Sequence, residues 1–310
     1  MEVQVPVTED THPAVVSIGE LSRRTGVPVR TIRFYCDSGI LDARRTSGGH
    51  RSFDSPAAVD RLLLVRRLRA LGLALPAIMR VLDGSASIGA VAAAERAALD
   101  TELDTLRWRR AALFALETAP PTERADRLEL LASVHDRSAI IDTIVAFWRP
   151  ILTPLPRPEF DSFIDMHVPP LPSEPGSGQI VAYAELTSLA ADPRVKKAMA
   201  QQIWRSDRDQ VGDRRQFVTA LAEACEAAAP LVAAREKPRP GAELDRFVHA
   251  HAAARHQRDT PGFRRELLTG ATDTDPRLRH YWRLTAEITG TEETVGAMHY
   301  WLLDALRQTV

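Results

Sequence analysis

Residues 25–53 read TGVPVRTIRFYCDSGILDARRTSGGHRSF, and the reading of this stretch decides the fold of everything before residue 85. It holds five arginines and no lysine, sets Phe34 beside Tyr35, and closes with a Ser47-Gly48-Gly49 turn. A helix needing only solubility would mix Lys, Glu and Gln. This composition presents cations on a rigid frame to something anionic.

Immediately upstream, Ser17-Ile18-Gly19-Glu20 has capping-box spacing, with Ser at the N-cap and Glu three residues on. It opens a short helix that turns Ile18 and Leu21 inward and stops near Thr25-Gly26. Pro28 has no amide to leave unpaired, so it suits the first turn of a second helix, which ends at Ser38-Gly39, where glycine accepts a left-handed cap. Helix, tight turn and helix within about two dozen residues is helix-turn-helix spacing. On the second helix Val29, Ile32 and Cys36 fall on a core-facing side, and Arg30, Arg33 and Tyr35 are expected to project toward solvent or a ligand. The segment RRTSGGHRSF then reads as a hairpin, with Arg44 and Arg45 on one arm and His50 and Arg51 on the other. Such a wing runs along a nucleic-acid backbone while the helix enters a groove: phosphate contacts position the protein and base edges confer specificity. A third helix follows Ser55-Pro56, with Val59, Leu62, Leu63, Leu68 and Leu71 apolar and Arg61, Arg66, Arg67 and Arg69 expected mostly outward. A short fourth helix runs from Pro76 to Asp83.

Charge is divided along the chain. Residues 17–84 carry twelve arginines against six acidic residues, whereas the whole chain has a formal net charge of −1, so the remainder is acidic. A basic module joined to an acidic body suits a nucleic-acid binder with a second task. At 310 residues, two domains are expected. No apolar run approaches the ~18 residues of a membrane span, no secretory signal is visible, and Cys36 and Cys225 lie far apart with no metal-ligand spacing. A cytoplasmic, nucleoid-associated protein is expected.

Taken together, SIGELSRRTGVPVRTIRFY, GIL, RRTSGGHRSF and VDRLLLVRRLRALGLALPAIMRVLDG resemble the DNA-binding domain of the MerR family of transcriptional regulators from Ser17 to Gly84. By position, the resemblance implies DNA contacts at Arg30, Arg33 and Tyr35 of the second helix and at Arg44, Arg45, His50 and Arg51 of the wing. The chain departs from the family pattern where paired tyrosines become Phe34-Tyr35, where the following acid becomes Cys36, and where the wing tyrosine becomes His50.

From about Ser87 to Glu117 the chain lacks proline and is rich in Ala, Leu, Glu and Arg, which predicts a helix of about 45 Å. Leu99, Leu103, Leu106 and Leu113 follow three- and four-residue steps, interrupted by Arg110, as a narrow coiled-coil seam would. Periodicity leaves open whether that seam packs on the chain's own body. The resemblance implies antiparallel pairing with a second copy, hence a homodimer that reads a palindromic promoter element, distorts the DNA and lets RNA polymerase engage.

After Pro120-Pro121 the chain shows helical periods and almost no strand alternation. The division expected is an arm over 1–16, the winged helix-turn-helix domain over 17–84, the dimerisation helix over 85–118, and an all-α domain of six to eight helices over 119–310 with a Pro-rich connector at 149–178. The fold class is therefore mainly all-α with one small β-hairpin. His249, His251 and His256 lack the i, i+4 pairing of a helical metal site and read as solvated. No catalytic motif or cofactor site is legible, so the chain reads as a regulator and not an enzyme. Trp148, Trp204, Trp282, Tyr300 and Trp301 are candidates to line a site for a small organic effector. The competing reading gives the helical domain a protein partner and no small molecule.

Overall fold

A left-handed glycine ends the first helix of the amino-terminal unit. In the computed structural model, which describes residues 15–45, 51–153, 155–205, 211–269 and 273–310 (side chains at 45, 166 and 167 excepted), helix α1 (Ile18–Thr25) ends at Gly26 with φ of 69°. Its Ser17 cap accepts from the Glu20 amide at 3.2 Å. The Glu20 carboxylate turns instead to Arg24 at 2.7 Å, which holds its pKa below the usual carboxylate range. Thr25 finishes the turn, donating its hydroxyl to the Leu21 carbonyl and accepting from the Val27 amide. Pro28 then enters α2 (Val29–Asp37) from extended backbone.

Three strands complete this unit in the order β1 (Val15–Ser17), β3 (Arg51–Asp54), β2 (Arg44–Arg45), all antiparallel. The expected hairpin is thus the outer half of a three-stranded sheet. Val15 and Val16, assigned to the arm on composition, pair with Asp54 and Phe53: two β-branched residues satisfy an edge that a hairpin alone leaves open. Residues 1–14 and the 46–50 turn with His50 lie outside the described residues. Helices α3 (Ser55–Ala70) and α4 (Leu75–Leu82) close a core around Leu21, Ile32, Phe53, Leu62 and Ile78, side chains worth about 1.5–3 kcal/mol each when fully buried. Leu71, expected among the apolar positions of α3, is exposed because the helix ends at Ala70.

Helix α5 (Ile88–Glu117) runs unbroken for 30 residues. Two compact units divide within it, between Glu102 and Leu103. In the second unit, Trp108, Ala111 and Ala115 enter the core, and the Trp108 indole donates to the Val134 carbonyl at 3.0 Å.

Beyond α5 the described residues form ten helices and no strand, so the unit is all-α as expected, with more and shorter helices. Ser133–Asp136 separates α6 (Arg124–Ala132) from α7 (Arg137–Leu152), where Asp136 caps the Ser138 amide. Much of the connector at 149–178 is helix: α7 continues through Pro150, and α8 (Arg157–His167) starts with Pro158 in its first turn. A proline there sacrifices no hydrogen bond. The other helices are α9 (Ser177–Ala191), α10 (Pro193–Trp204), α11 (Arg214–Ala233), α12 (Ala242–Ala253), α13 (Pro261–Thr269), α14 (Pro276–Thr289) and α15 (Val295–Arg307). α9 packs on α7 and α14, and α11 on α12 and α15. Arg205, in left-handed backbone after α10, is buried and forks onto Asp273 at 2.8 and 3.1 Å.

Candidate nucleic-acid interface and helical cavity

The arginines of the first unit fall into two sets that composition could not separate. One set holds the fold. Arg61 donates to the Ile40 carbonyl at 2.6 Å, Arg66 to the Thr25 carbonyl at 2.6 Å, and Arg69 to the Leu73 carbonyl at 2.8 Å. Arg66 lies over the α1–α2 turn so closely that a Cβ on Gly26 would come within 2.9 Å of it. Arg66 and Arg69 are exposed, as expected of mostly outward side chains, and Arg61 is partly buried; all three also tie off a carbonyl at a chain reversal. Arg51 is half-buried and paired with Asp37 at 2.6 Å.

The second set is exposed. Arg30 and Arg33 project from α2, and Arg44 from β2. Among the described residues none of the three has an ion pair. The backbone of Arg45 pairs with Arg51 in the sheet, and nothing further is described of its side chain.

Tyr35 differs from expectation. It is 8% exposed and belongs to the core, while Phe34 is 51% exposed. Tyr35 follows Ile32 by three residues and so shares its buried side, and the Tyr35 carbonyl accepts from the amides of Ile40 and Leu41 to close the end of α2. The aromatic offered outward at this position is Phe34. Cys36 is partly buried, which pushes its thiol up from the ordinary value.

Along α5, Leu99, Leu103, Leu106, Leu113 and Phe114 are each about half exposed, whereas Trp108, Ala111 and Ala115 are buried. One side of the helix therefore meets its own body, and the leucine seam lies on another. Both uses of this helix that periodicity left open are compatible with a single geometry.

In the second unit all five candidate effector residues are buried, and two of them, Trp148 and Trp282, share one apolar chamber, while Tyr300 borders a separate, shallower one. Trp148 and Trp282 form walls of a chamber of about 380 Å³ together with Leu152, Phe163, Val218 and Ala222. Trp204 is committed elsewhere, donating to the Ile151 carbonyl, and Trp301 donates to the Glu236 carbonyl. The Tyr300 ring lies under the Arg279 guanidinium at 4.1 Å. Gly296 lets Trp282 rest against the backbone of α15, since a Cβ there would lie 2.1 Å from the indole. Tyr281 accepts from the Trp148 indole at 2.9 Å and is fully buried.

Of the three histidines read as solvated, His249 and His256 are exposed. His251 is fully buried between Phe217 and Phe247, and burial drives its pKa well below the ordinary value. Among the described residues no group of His, Cys, Asp and Glu is arranged to hold a metal, and no helix is long and apolar enough to cross a membrane.

Comparison with known proteins agrees with the first unit. Residues 16–85 match a sequence model of the MerR HTH family regulatory proteins. Nodulation protein NolA of Bradyrhizobium sp. (strain NC92) is 34% identical over 130 residues, covering 42% of this chain and 48% of NolA. The HTH-type transcriptional regulator MerD of Shigella flexneri is 34% identical over 111 residues, covering 35% of this chain and 92% of MerD. The HTH-type transcriptional regulator HmrR of Rhizobium leguminosarum bv. viciae is 39% identical over 57 residues, covering 18% of this chain and 43% of HmrR. The chain spans about half the length of the NolA protein it matches. No solved structure matches.

Proposed function

This chain belongs to the MerR family of HTH regulatory proteins, and from that premise we propose that it grips a palindromic promoter element as a homodimer, distorts the duplex, and thereby controls access by RNA polymerase. Arg30 and Arg33 of α2, with Arg44 and Arg45 of the wing, meet phosphates and base edges. The leucine seam of α5 joins the two copies, and the helical unit receives a small organic effector. The effector binds one dimer geometry more tightly than the other and so shifts their populations.

The observation that carries this reading is the division of the arginines. Those at chain reversals are spent on backbone carbonyls, while those on the exposed side of α2 and on β2 are left to solvent. A solvated helix would not need so rigid a frame beneath its cations.

The test is capture of genomic fragments by the purified protein, followed by footprinting at several salt concentrations. Two protected half-sites spaced by about a whole number of helical turns are expected, with affinity falling steeply as salt displaces the contacts. Protection of a single half-site, or binding indifferent to salt, would defeat the reading.

A further inference from the structure

The helical unit contains a chamber whose walls are nearly all carbon and whose polar groups are few and specifically placed. Its volume, about 380 Å³, lies within the about 300–1,000 Å³ of small-molecule sites. Trp148, Phe163 and Trp282 supply aromatic faces, the Trp148 and Phe163 rings being 5.0 Å apart. The charged residues that line it are Glu159 of α8 and Arg215 of α11, paired at 2.5 Å through Glu159 Oε1, while Glu159 Oε2 and Gln202 Nε2 on the same lining have no hydrogen-bond partner among the described residues. His299 of α15 also lines it. This imidazole is 7% exposed, and its Nε2 has no hydrogen-bond partner among the described residues. Burial and the nearby Arg205 hold its pKa down to about 3, so the ring is neutral at physiological pH and offers an unused polar atom. A buried polar atom without a partner is destabilising, and a bound hydrogen-bonding group would recover that loss.

We propose that this chamber binds a neutral, mainly aromatic small molecule that makes one hydrogen bond to His299 Nε2. The inference rests on the reading of the helical unit as the regulator's input, and it names the chemical class of that input. A net charge is disfavoured, because an ion leaving water needs a counter-charge and the Arg215 and Glu159 side chains that line the chamber are already paired with each other through Glu159 Oε1. Glu159 Oε2, which has no hydrogen-bond partner among the described residues, is a second place for a neutral donor. An adjoining cavity of about 300 Å³ shares Ala222, Cys225, Trp282 and Val295 with the chamber and carries Asp165, Glu226 and Glu293. A ligand that extended into it would need a cationic end, and the experiment separates that case.

The full-length protein is titrated with N-phenyl-1-naphthylamine, a neutral fluorophore with one N–H donor. Its anionic analogue 8-anilino-1-naphthalenesulfonate and the cation tetraphenylphosphonium are run in parallel. Binding of one neutral probe per chain with quenching of tryptophan emission is expected, at least tenfold tighter than either charged compound. Thr219→Trp, at an exposed position on the chamber's rim, should weaken it at least tenfold without altering the melting curve, and Ala222→Phe should abolish it. His299→Phe should weaken it about fivefold by removing the acceptor. Failure of the neutral probe to bind, preference for the cation or the anion, or unchanged affinity in folded Thr219→Trp would overturn the proposal. Operator affinity measured with and without bound probe tests the underlying reading separately. A bound probe that leaves DNA affinity unchanged keeps the site and removes its role as input, whereas DNA binding without any probe binding keeps the regulator and removes the site.

Discussion

Arg51 of the wing and Asp37 at the end of the second helix lie 2.6 Å apart, joining the two elements offered to DNA. The pair ties β3 to α2, and it withdraws one cation from the set that sequence assigns to phosphate. Asp37→Asn should free Arg51 for the duplex. The slope of log K against log salt is then expected to steepen by about 0.9 per added phosphate contact, with stability changed by no more than about 1 kcal/mol for a pair this exposed. Titrations at several salt concentrations measure it, and an unchanged slope would leave Arg51 with a purely structural role.

Phe34 and Tyr35 are neighbours with opposite fates. Tyr35→Ala should destabilise the amino-terminal unit by about 3–5 kcal/mol, as removal of a buried aromatic does. Phe34→Ala, at a half-exposed position, should leave the melting curve within about 0.5 kcal/mol while weakening operator binding. Urea denaturation and gel-shift titration on both variants check the assignment. Equal destabilisation by the two substitutions would contradict it.

The exposed leucines of α5 should behave as an interface. Leu103→Glu with Leu106→Lys is expected to give monomers in sedimentation velocity at unchanged helical content, since both side chains are about half exposed in the single chain. Persistent dimers would place the interface elsewhere.

Arg205 and Asp273 are both buried, and their forked contact joins the end of α10 to the segment before α14. Among the described residues, Arg205→Met leaves Asp273 with the more distant Arg307, at 3.8 Å. A loss of about 3–5 kcal/mol is expected, because the remaining carboxylate stays buried without its close partner. Chemical denaturation of the helical unit is the measurement, and a loss below about 1 kcal/mol would show that solvent reaches the site.

Two buried histidines give the helical unit a pH dependence. Burial lowers the pKa of His251 well below its ordinary value and that of His299 to about 3. Below about pH 6.5 the unfolded chain therefore binds protons that the folded chain refuses, and stability falls with pH by up to about 1.4 kcal/mol per pH unit for each ring. Above that range their contribution is fully present. His299→Leu should roughly halve the decline between pH 6 and pH 5 in denaturant titrations, and an unaltered decline would assign it to other groups.

How much was legible beforehand varies with the range of the forces involved. The capping serine, the Gly26 turn, Pro28 and the alternation around the wing act between residues a few positions apart, so Ser17 through Gly84 could be read directly, and the family match covers nearly the same span. Tyr35 was misplaced because resemblance supplies a residue's position in a motif, whereas its burial follows from Ile32 one turn away and from the carbonyl that closes α2. The added strand Val15–Ser17 escaped notice because a three-residue pairing depends on Phe53 and Asp54, far along the chain.

Sequence alone determined that this protein has a basic winged helix-turn-helix, a long helix and an acidic all-α remainder, since caps, breakers, period and charge are properties of neighbouring residues. Tertiary structure alone decided which arginines remain available, which of five aromatics line that chamber, and that His299, on its lining, carries an unpaired buried nitrogen. Those outcomes depend on carbonyls, rings and backbones brought together from tens of residues apart, and no local pattern records where they meet.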